Sequence, residues 1–185
     1  MEIFISLLRG VNVSGSNRVR MEDLRALYAG QGLSNVRTYL QSGNVVFESG
    51  EPDETTLAGM IETKIRQTLG LEVPVLIRSA AEWAGLLQSN PFLNDRQENP
   101  DHLYVTFLRY PPGELDMKNL KPPADEQDEF YLVGREIHLF CPNGYGRTKL
   151  SNGWFEHKLK QTATTRNWKT VTALHQMALE SRHSS

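Results

Sequence analysis

The residues in this chain best suited to chemistry are cations set beside glycines. Asn143-Gly144-Tyr145-Gly146-Arg147-Thr148-Lys149-Leu150 presents a guanidinium and an ammonium two residues apart, after two glycines that let backbone approach a ligand closely. Thr164-Thr165-Arg166-Asn167-Trp168-Lys169-Thr170 adds two further cations around Asn167, a residue type suited to capping a helix. Phosphate and carboxylate groups pair with such side chains through charge-assisted hydrogen bonds. Arg147, Lys149, Arg166 and Lys169 are therefore the leading candidate contacts for an anion. The competing reading is a set of surface cations in salt bridges with acidic sequence upstream. Residues 135–185 hold eight Lys/Arg against three Asp/Glu, whereas 91–134 hold four against nine, so neutralising partners are available.

A second glycine-containing loop lies near the start, in Arg9-Gly10-Val11-Asn12-Val13-Ser14-Gly15-Ser16-Asn17. Gly10 and Gly15 have the spacing of the outer glycines of a phosphate-binding loop. That motif needs Lys and then Ser/Thr to reach the phosphates and a magnesium ion, and Ser16-Asn17 stand there instead, which excludes a nucleoside triphosphatase of that type. A looser cradle of backbone N–H groups and a long turn with no ligand are both compatible with the pattern. Arg9, Asn12, Asn17, Ser42 and Asn44 join the candidate contacts if the two glycine-containing loops converge.

Catalysis by acid, base or nucleophile has little support. His102, His138, His157, His175 and His183 are scattered, with no metal-ligand spacing. Ser42 lacks the flanking glycines of a nucleophile elbow, and Glu156 and His157, adjacent on a helix, do not face each other. Tyr39, Tyr104 and Phe107 fall on strands and could stack bases, but no RNA-recognition signature accompanies them and aromatics on strands more often belong to a core. No catalytic residue, metal site or cofactor is assigned.

These side chains need elements to hold them. At 185 residues the chain suffices for one sizeable domain or two small ones. A single cysteine, Cys141, excludes an intramolecular disulfide and reads as a small buried hydrophobe, in keeping with a reducing cytosol. The first residues do not form a signal peptide, and no apolar run reaches the ~18 residues of a membrane span. The chain is thus expected in the cytoplasm with no membrane partner.

Residues 3–8 read as an interior strand, followed by a helix with Met21, Leu24, Leu27 and Tyr28 on one face. Residues 36–40 and 44–48 flank Gln41-Ser42-Gly43 as a hairpin. Asp53 is placed to cap a helix with Leu57, Ile61, Ile65 and Leu69 in register, and Pro74 puts the next strand at an edge or a strand start. The order βαββαβ is that of a ferredoxin-like unit. Ser79 and Glu82 form a capping box before a short helix, and polar sequence then runs to Asp101. Residues 102–108 are strand-like, a short helical segment contains Leu115 and Leu120, and Gly134-Arg135 joins a second hairpin. Helices around Trp154 and after Asn167 complete an order βαββαα, with the tail from Ser181 expected to fray. The fold expected is α+β with two consecutive ferredoxin-like halves, residues 1–78 and 101–185, joined by a helix and connector at 79–100.

These landmarks resemble the bacterial family known as domain of unknown function 1697. The resemblance is carried by Leu7-Leu8-Arg9-Gly10-Val11-Asn12-Val13, Asn17, Met21, Leu24-Arg25, Thr38-Tyr39-Leu40-Gln41-Ser42-Gly43-Asn44-Val45, Glu82-Trp83 and Asn90-Pro91-Phe92. It continues through Pro142 to Leu150 and Thr165-Arg166-Asn167-Trp168. It implies an α+β fold of two ferredoxin-like halves and no established activity. The chain departs from the pattern at Ser14, where glycine is usual, and at Lys169, where asparagine is usual.

Three function classes follow. The leading one is a binding domain for a phosphate-bearing ligand, either a nucleotide or a nucleic-acid backbone. The others are a small enzyme acting on a phosphorylated or acylated metabolite, and a structural or protein-interaction module. A pocket holding Arg147 beside a carboxylate or histidine favours the enzyme, a broad positive groove nucleic acid, and a flat apolar patch an interaction module. Oligomeric state is not readable from these patterns.

Overall fold

The computed structural model describes residues 1–13 and 15–183, so the departure at Ser14 and the last two residues of the tail lie outside the described residues. The chain is mixed α+β. Its elements run β1 (Glu2–Leu8), α1 (Met21–Ala29), β2 (Ser34–Tyr39), β3 (Asn44–Ser49), α2 (Glu54–Leu69), β4 (Val75–Ser79), α3 (Ala80–Gln88) and α4 (Pro91–Asn94). They continue with β5 (Leu103–Leu108), α5 (Glu114–Asn119), β6 (Glu129–Val133), β7 (Glu136–Phe140), α6 (Asn152–Leu159), β8 (Ala163–Asn167) and α7 (Trp168–His183). Two antiparallel four-stranded sheets result, in the orders β2-β3-β1-β4 and β6-β7-β5-β8. The chain divides into two compact units, one of Met1–Ala84 with Ala173–Ser185 and one of Gly85–Thr172.

In the first unit β1 is central, as its continuous apolar run predicts, and Phe4 to Leu8 are all buried. Alternate residues of β1 and β3 meet α1 and α2. Phe4 stacks on Phe47 at 5.8 Å, and Tyr28 meets the same ring edge-on at 5.5 Å. The expected helix faces form: Leu24, Leu27 and Tyr28 of α1 and Leu57, Ile61 and Ile65 of α2 are buried. Asp53 caps α2 by accepting the Thr56 N–H at 2.7 Å, and Gly70 ends it at φ 68°. The expected hairpin is present, with Thr38 opposite Val45 and Tyr39 opposite Asn44. β4 is an edge strand that begins just after Pro74. Ser79 and Glu82 exchange the two reciprocal hydrogen bonds of a capping box, at 3.1 and 3.2 Å.

The second unit builds its core from Leu108, Ile137, Leu139, Cys141, Leu150, Phe155 and Ala163. The hairpin of β6 and β7 pairs Val133 with Glu136 across Gly134-Arg135, with Gly134 at φ 64°. One expected element order is corrected. Residues 163–167 form β8, antiparallel to β5 with Thr106 opposite Thr165, so the order is βαββαβ followed by α7. Thr164 and Thr165 are β-branched residues that fit a pleated surface, and the strand satisfies the free edge of β5. Of the tail from Ser181, expected to fray, the last two residues lie outside the described residues. Helix α7 extends through His183, and within the first unit Arg37 donates to the Ser181 hydroxyl at 3.1 Å and pairs with Glu180 at 3.0 Å.

Candidate anion-binding cleft

The glycine loop of the second unit follows β7 directly. The Cys141 N–H donates to the His102 carbonyl at 2.8 Å, and Gly144, at φ 83°, donates back to the Cys141 carbonyl at 3.0 Å. A 3-10 turn over Tyr145–Arg147 comes next. Tyr145 anchors the loop. Its ring lies 5.2 Å from that of Tyr104 on β5, and its hydroxyl donates to Thr165 at 3.1 Å while accepting the Asn152 N–H at 3.2 Å. The Thr165 hydroxyl in turn bonds that of Thr106 at 2.7 Å and donates to the Asn152 Oδ1 at 2.5 Å. This satisfied network fixes the loop backbone against β5 and β8, which a glycine-rich segment would not do unaided.

Cys141 sits fully buried at the base of the loop. Burial, aided by the nearby Asp128 charge, pushes its thiol up to about 12, so almost no thiolate forms at neutral pH. A thiol reagent is expected to label the native protein only on the timescale of unfolding. Rapid stoichiometric labelling with the circular dichroism spectrum intact would contradict this burial.

The four cations of the second unit have different surroundings. The Lys149 Nζ lies 2.5 Å from the Asp125 Oδ2, and its backbone N–H donates to Glu126 at 2.7 Å. The Lys149 ammonium holds the Asp125 carboxyl below the usual carboxylate range. For Glu126, burial acts upward but is outweighed by the N–H groups of Asp128, Lys149 and Gln127, and its carboxyl also lies low. Lys149 is thus engaged with the acidic segment, though an exposed pair of this kind contributes only ~0–1 kcal/mol. Arg166 alternates on β8 with Thr165 and Asn167, so its side chain leaves the opposite face of the sheet from the Tyr145 network. There its Nη1 donates to the Thr164 hydroxyl and the Thr165 carbonyl, both at 2.9 Å.

Arg147 is exposed at the end of the 3-10 turn. Lys169 is exposed in the first turn of α7, where Asn167 caps the helix as expected by accepting the Thr170 N–H at 2.8 Å. Lys169 lines a cleft of about 440 Å³ together with Asp101, Tyr104, Asn167, Trp168 and Thr172. The structure therefore places Lys169 at a concave site and joins the glycine loop to that site through the contact between Tyr145 and Tyr104. It turns Arg166 to the other face.

The remaining candidates belong to the first unit, and most use their side chains internally. Asn12, at φ 55°, donates to the carbonyls of Val19 at 2.9 Å and Gln41 at 2.7 Å and accepts the Val19 N–H at 2.9 Å. Asn17 reaches the Gly10 carbonyl at 3.3 Å. Asn44 is fully buried and donates to the Tyr39 carbonyl at 2.9 Å and the Ser42 hydroxyl at 3.0 Å. Arg9 is half-buried, with its N–H on the Pro74 carbonyl at 2.9 Å. These residues brace the first loop against the hairpin tip. Beside them lies an open cleft of about 410 Å³ lined by Asn12, Gly15, Arg18, Val19, Arg20 and Gln41. Sequence reasoning passed over Arg18. The signal was the run Arg18-Val19-Arg20, an apolar residue between two cations; in the structure Val19 is buried and both arginines are exposed. Arg20 pairs with Glu22 at 2.9 Å.

Among the described residues, no group of three or more His, Cys, Asp or Glu side chains could hold a metal ion. Nor is any described helix long and apolar enough to cross a membrane.

A family model described as a protein of unknown function (DUF1697) matches residues 1–138. The match stops short of the glycine loop and of Lys169. The conserved bacterial protein SP0830 from Streptococcus pneumoniae has a similar structure, at a TM-score of 0.73 and 24% identity, over 96% of this chain and 98% of that one. At that identity the likeness speaks for the fold alone. No curated protein matches the chain.

Proposed function

The chain belongs to the DUF1697 family of proteins of unknown function, and from that premise we propose that it binds a phosphate-bearing ligand in the cleft at Lys169. The family carries no activity to borrow, so the reading rests on chemistry. The observation that carries it is the cleft of about 440 Å³ in the second unit, whose lining includes the exposed Lys169 and the aromatic Tyr104. Sites for small molecules span ~300–1,000 Å³ and combine apolar walls with a few placed polar groups. An anion there also meets the positive end of the 16-residue helix α7. Arg147, on the loop that Tyr145 anchors against Tyr104, is assigned a second, outer contact. A compact nucleotide suits these dimensions better than an extended nucleic-acid backbone. We read both units as ferredoxin-like, since each sheet orders its strands second, third, first, fourth. A cytoplasmic setting accords with the single buried cysteine.

The test is a titration of a fluorescent nucleotide and a labelled oligonucleotide at two salt concentrations, against the wild type, Lys169→Ala and Arg147→Ala. A charge-assisted hydrogen bond contributes ~1.5–3 kcal/mol. Lys169→Ala is therefore expected to weaken nucleotide binding roughly tenfold to a hundredfold with unfolding unchanged, and Arg147→Ala by less. Binding of the nucleotide should depend only shallowly on salt, whereas a backbone-tracking site would show a steep slope from counterion release. Failure of the wild type to bind any phosphorylated compound would overturn the reading.

A further inference from the structure

The cleft at Lys169 also contains a carboxylate. Asp101 lines it from the short 3-10 turn of Pro100–His102, where its N–H donates to the Asn99 Oδ1 at 3.0 Å. Asp101 and Lys169 are both exposed, and neither side-chain charge is paired with another residue among the described residues. A carboxylate only accepts hydrogen bonds and repels a phosphate, so a ligand that occupies the whole cleft must bring donors to the Asp101 side. Tyr104 lines the same cleft, half-buried, with its ring 5.2 Å from that of Tyr145, whose hydroxyl is itself held by Thr165 and Asn152. The contact with Tyr145 holds that ring in place at the cleft, and an aromatic ring is a surface of the kind on which a base stacks.

We propose that the cleft takes a ribonucleoside 5′-monophosphate, with the phosphate on Lys169, the base against Tyr104 and the vicinal ribose diol donating to the two oxygens of Asp101. This rests on the phosphate reading given above and adds to it the class of molecule that carries the phosphate. Two adjacent hydroxyls match the two oxygens of one carboxylate, whereas a 2′-deoxy sugar leaves one of them unused. Asp101 is then the group that selects ribose, and Lys169 the group that selects phosphate.

The experiment is isothermal titration of adenosine and guanosine 5′-monophosphates, their 2′-deoxy counterparts, ribose 5-phosphate and inorganic phosphate, against the wild type, Asp101→Ala, Asp101→Asn and Lys169→Ala. The wild type is expected to bind ribonucleotides about tenfold more tightly than deoxynucleotides, and ribose 5-phosphate more weakly than either. In Asp101→Ala that ratio should fall to near one, with Asp101→Asn between. Lys169→Ala should weaken every phosphorylated probe by a similar factor and leave the ratio unchanged. Equal affinity of the wild type for ribo and deoxy forms, or an unchanged ratio in Asp101→Ala, would overturn the assignment of the diol while leaving phosphate binding intact. Absence of binding by every phosphorylated probe would overturn both.

Discussion

Gly43→Ala is expected to destabilise the protein by about 3 kcal/mol, one of the largest losses any single methyl group could cause in this fold. Two effects coincide at this position. Gly43 adopts φ 74°, a left-handed conformation that costs an L-residue ~1–2 kcal/mol. A Cβ there would also lie 2.7 Å from the Cβ of Leu8. That atom is attached directly to the backbone of the central strand, so it cannot swing aside as the end of a side chain would. The Leu8 N–H further donates to the Gly43 carbonyl at 2.8 Å, which fixes the approach. Gly10→Ala is the matched control, since φ there is 71° but nothing lies within 4 Å of an added Cβ. Urea unfolding followed by circular dichroism should give about 1 kcal/mol for Gly10→Ala and roughly three times that for Gly43→Ala. Equal losses would mean that the contact with Leu8 relaxes freely and only the backbone conformation matters.

The contrast between these two glycines shows what could be read from sequence. Both hairpins were legible because local chemistry specifies them, with Gly43 and Gly134 supplying positive φ between strand-forming runs. The helices were legible from spacing and caps, as Asp53, Ser79 and Asn167 illustrate. Strand β8 was not. Ala-Thr-Thr-Arg-Asn is short and mostly polar, and it becomes a strand because β5 offers an edge to pair with, a partner 59 residues away at Thr106 and Thr165. Neither residue carries a local mark of that pairing.

The same limit applies to the cleft. Cations beside glycines are visible in a sequence, but the engagement of Lys149 by Asp125 joins residues 24 apart and depends on how the intervening hairpin folds. Period-two alternation would have turned Arg166 away from Thr165, yet that inference requires knowing first that β8 is a strand. Asp101 looked like the end of a polar connector. It gains meaning only once the turn at Pro100–His102 sets it in the cleft that Lys169 lines.

Acid should reveal a second large effect, at His138. This residue lies on β7 between Ile137 and Leu139, which face the core of the second unit, so its ring leaves the other face of the sheet. It is fully buried, and among the described residues neither ring nitrogen has a hydrogen-bond partner. Burial disfavours the charged form and lowers its pKa from 6.5 to about 4. The folded protein therefore holds a neutral imidazole over a range in which the unfolded chain would be protonated. Above pH 6.5 neither state binds the proton and the group contributes no pH dependence. As pH falls from 6.5 towards 4 the unfolded state alone takes it up, and stability declines by ~3 kcal/mol across that window, with about 2 kcal/mol lost by pH 5. Below pH 4 both states are protonated and the decline from this residue stops. His138→Leu removes the titration and also two unsatisfied nitrogens, whose burial costs ~1–3 kcal/mol. The variant is expected to be more stable than the wild type by about 1 kcal/mol at pH 7.5 and by about 3 kcal/mol at pH 5. Carboxylates titrate alike in both proteins, so the difference between their urea midpoints isolates His138. A difference that stays constant between pH 7.5 and 5 would show that the imidazole is hydrated or paired in solution, and the buried neutral histidine would have to be abandoned.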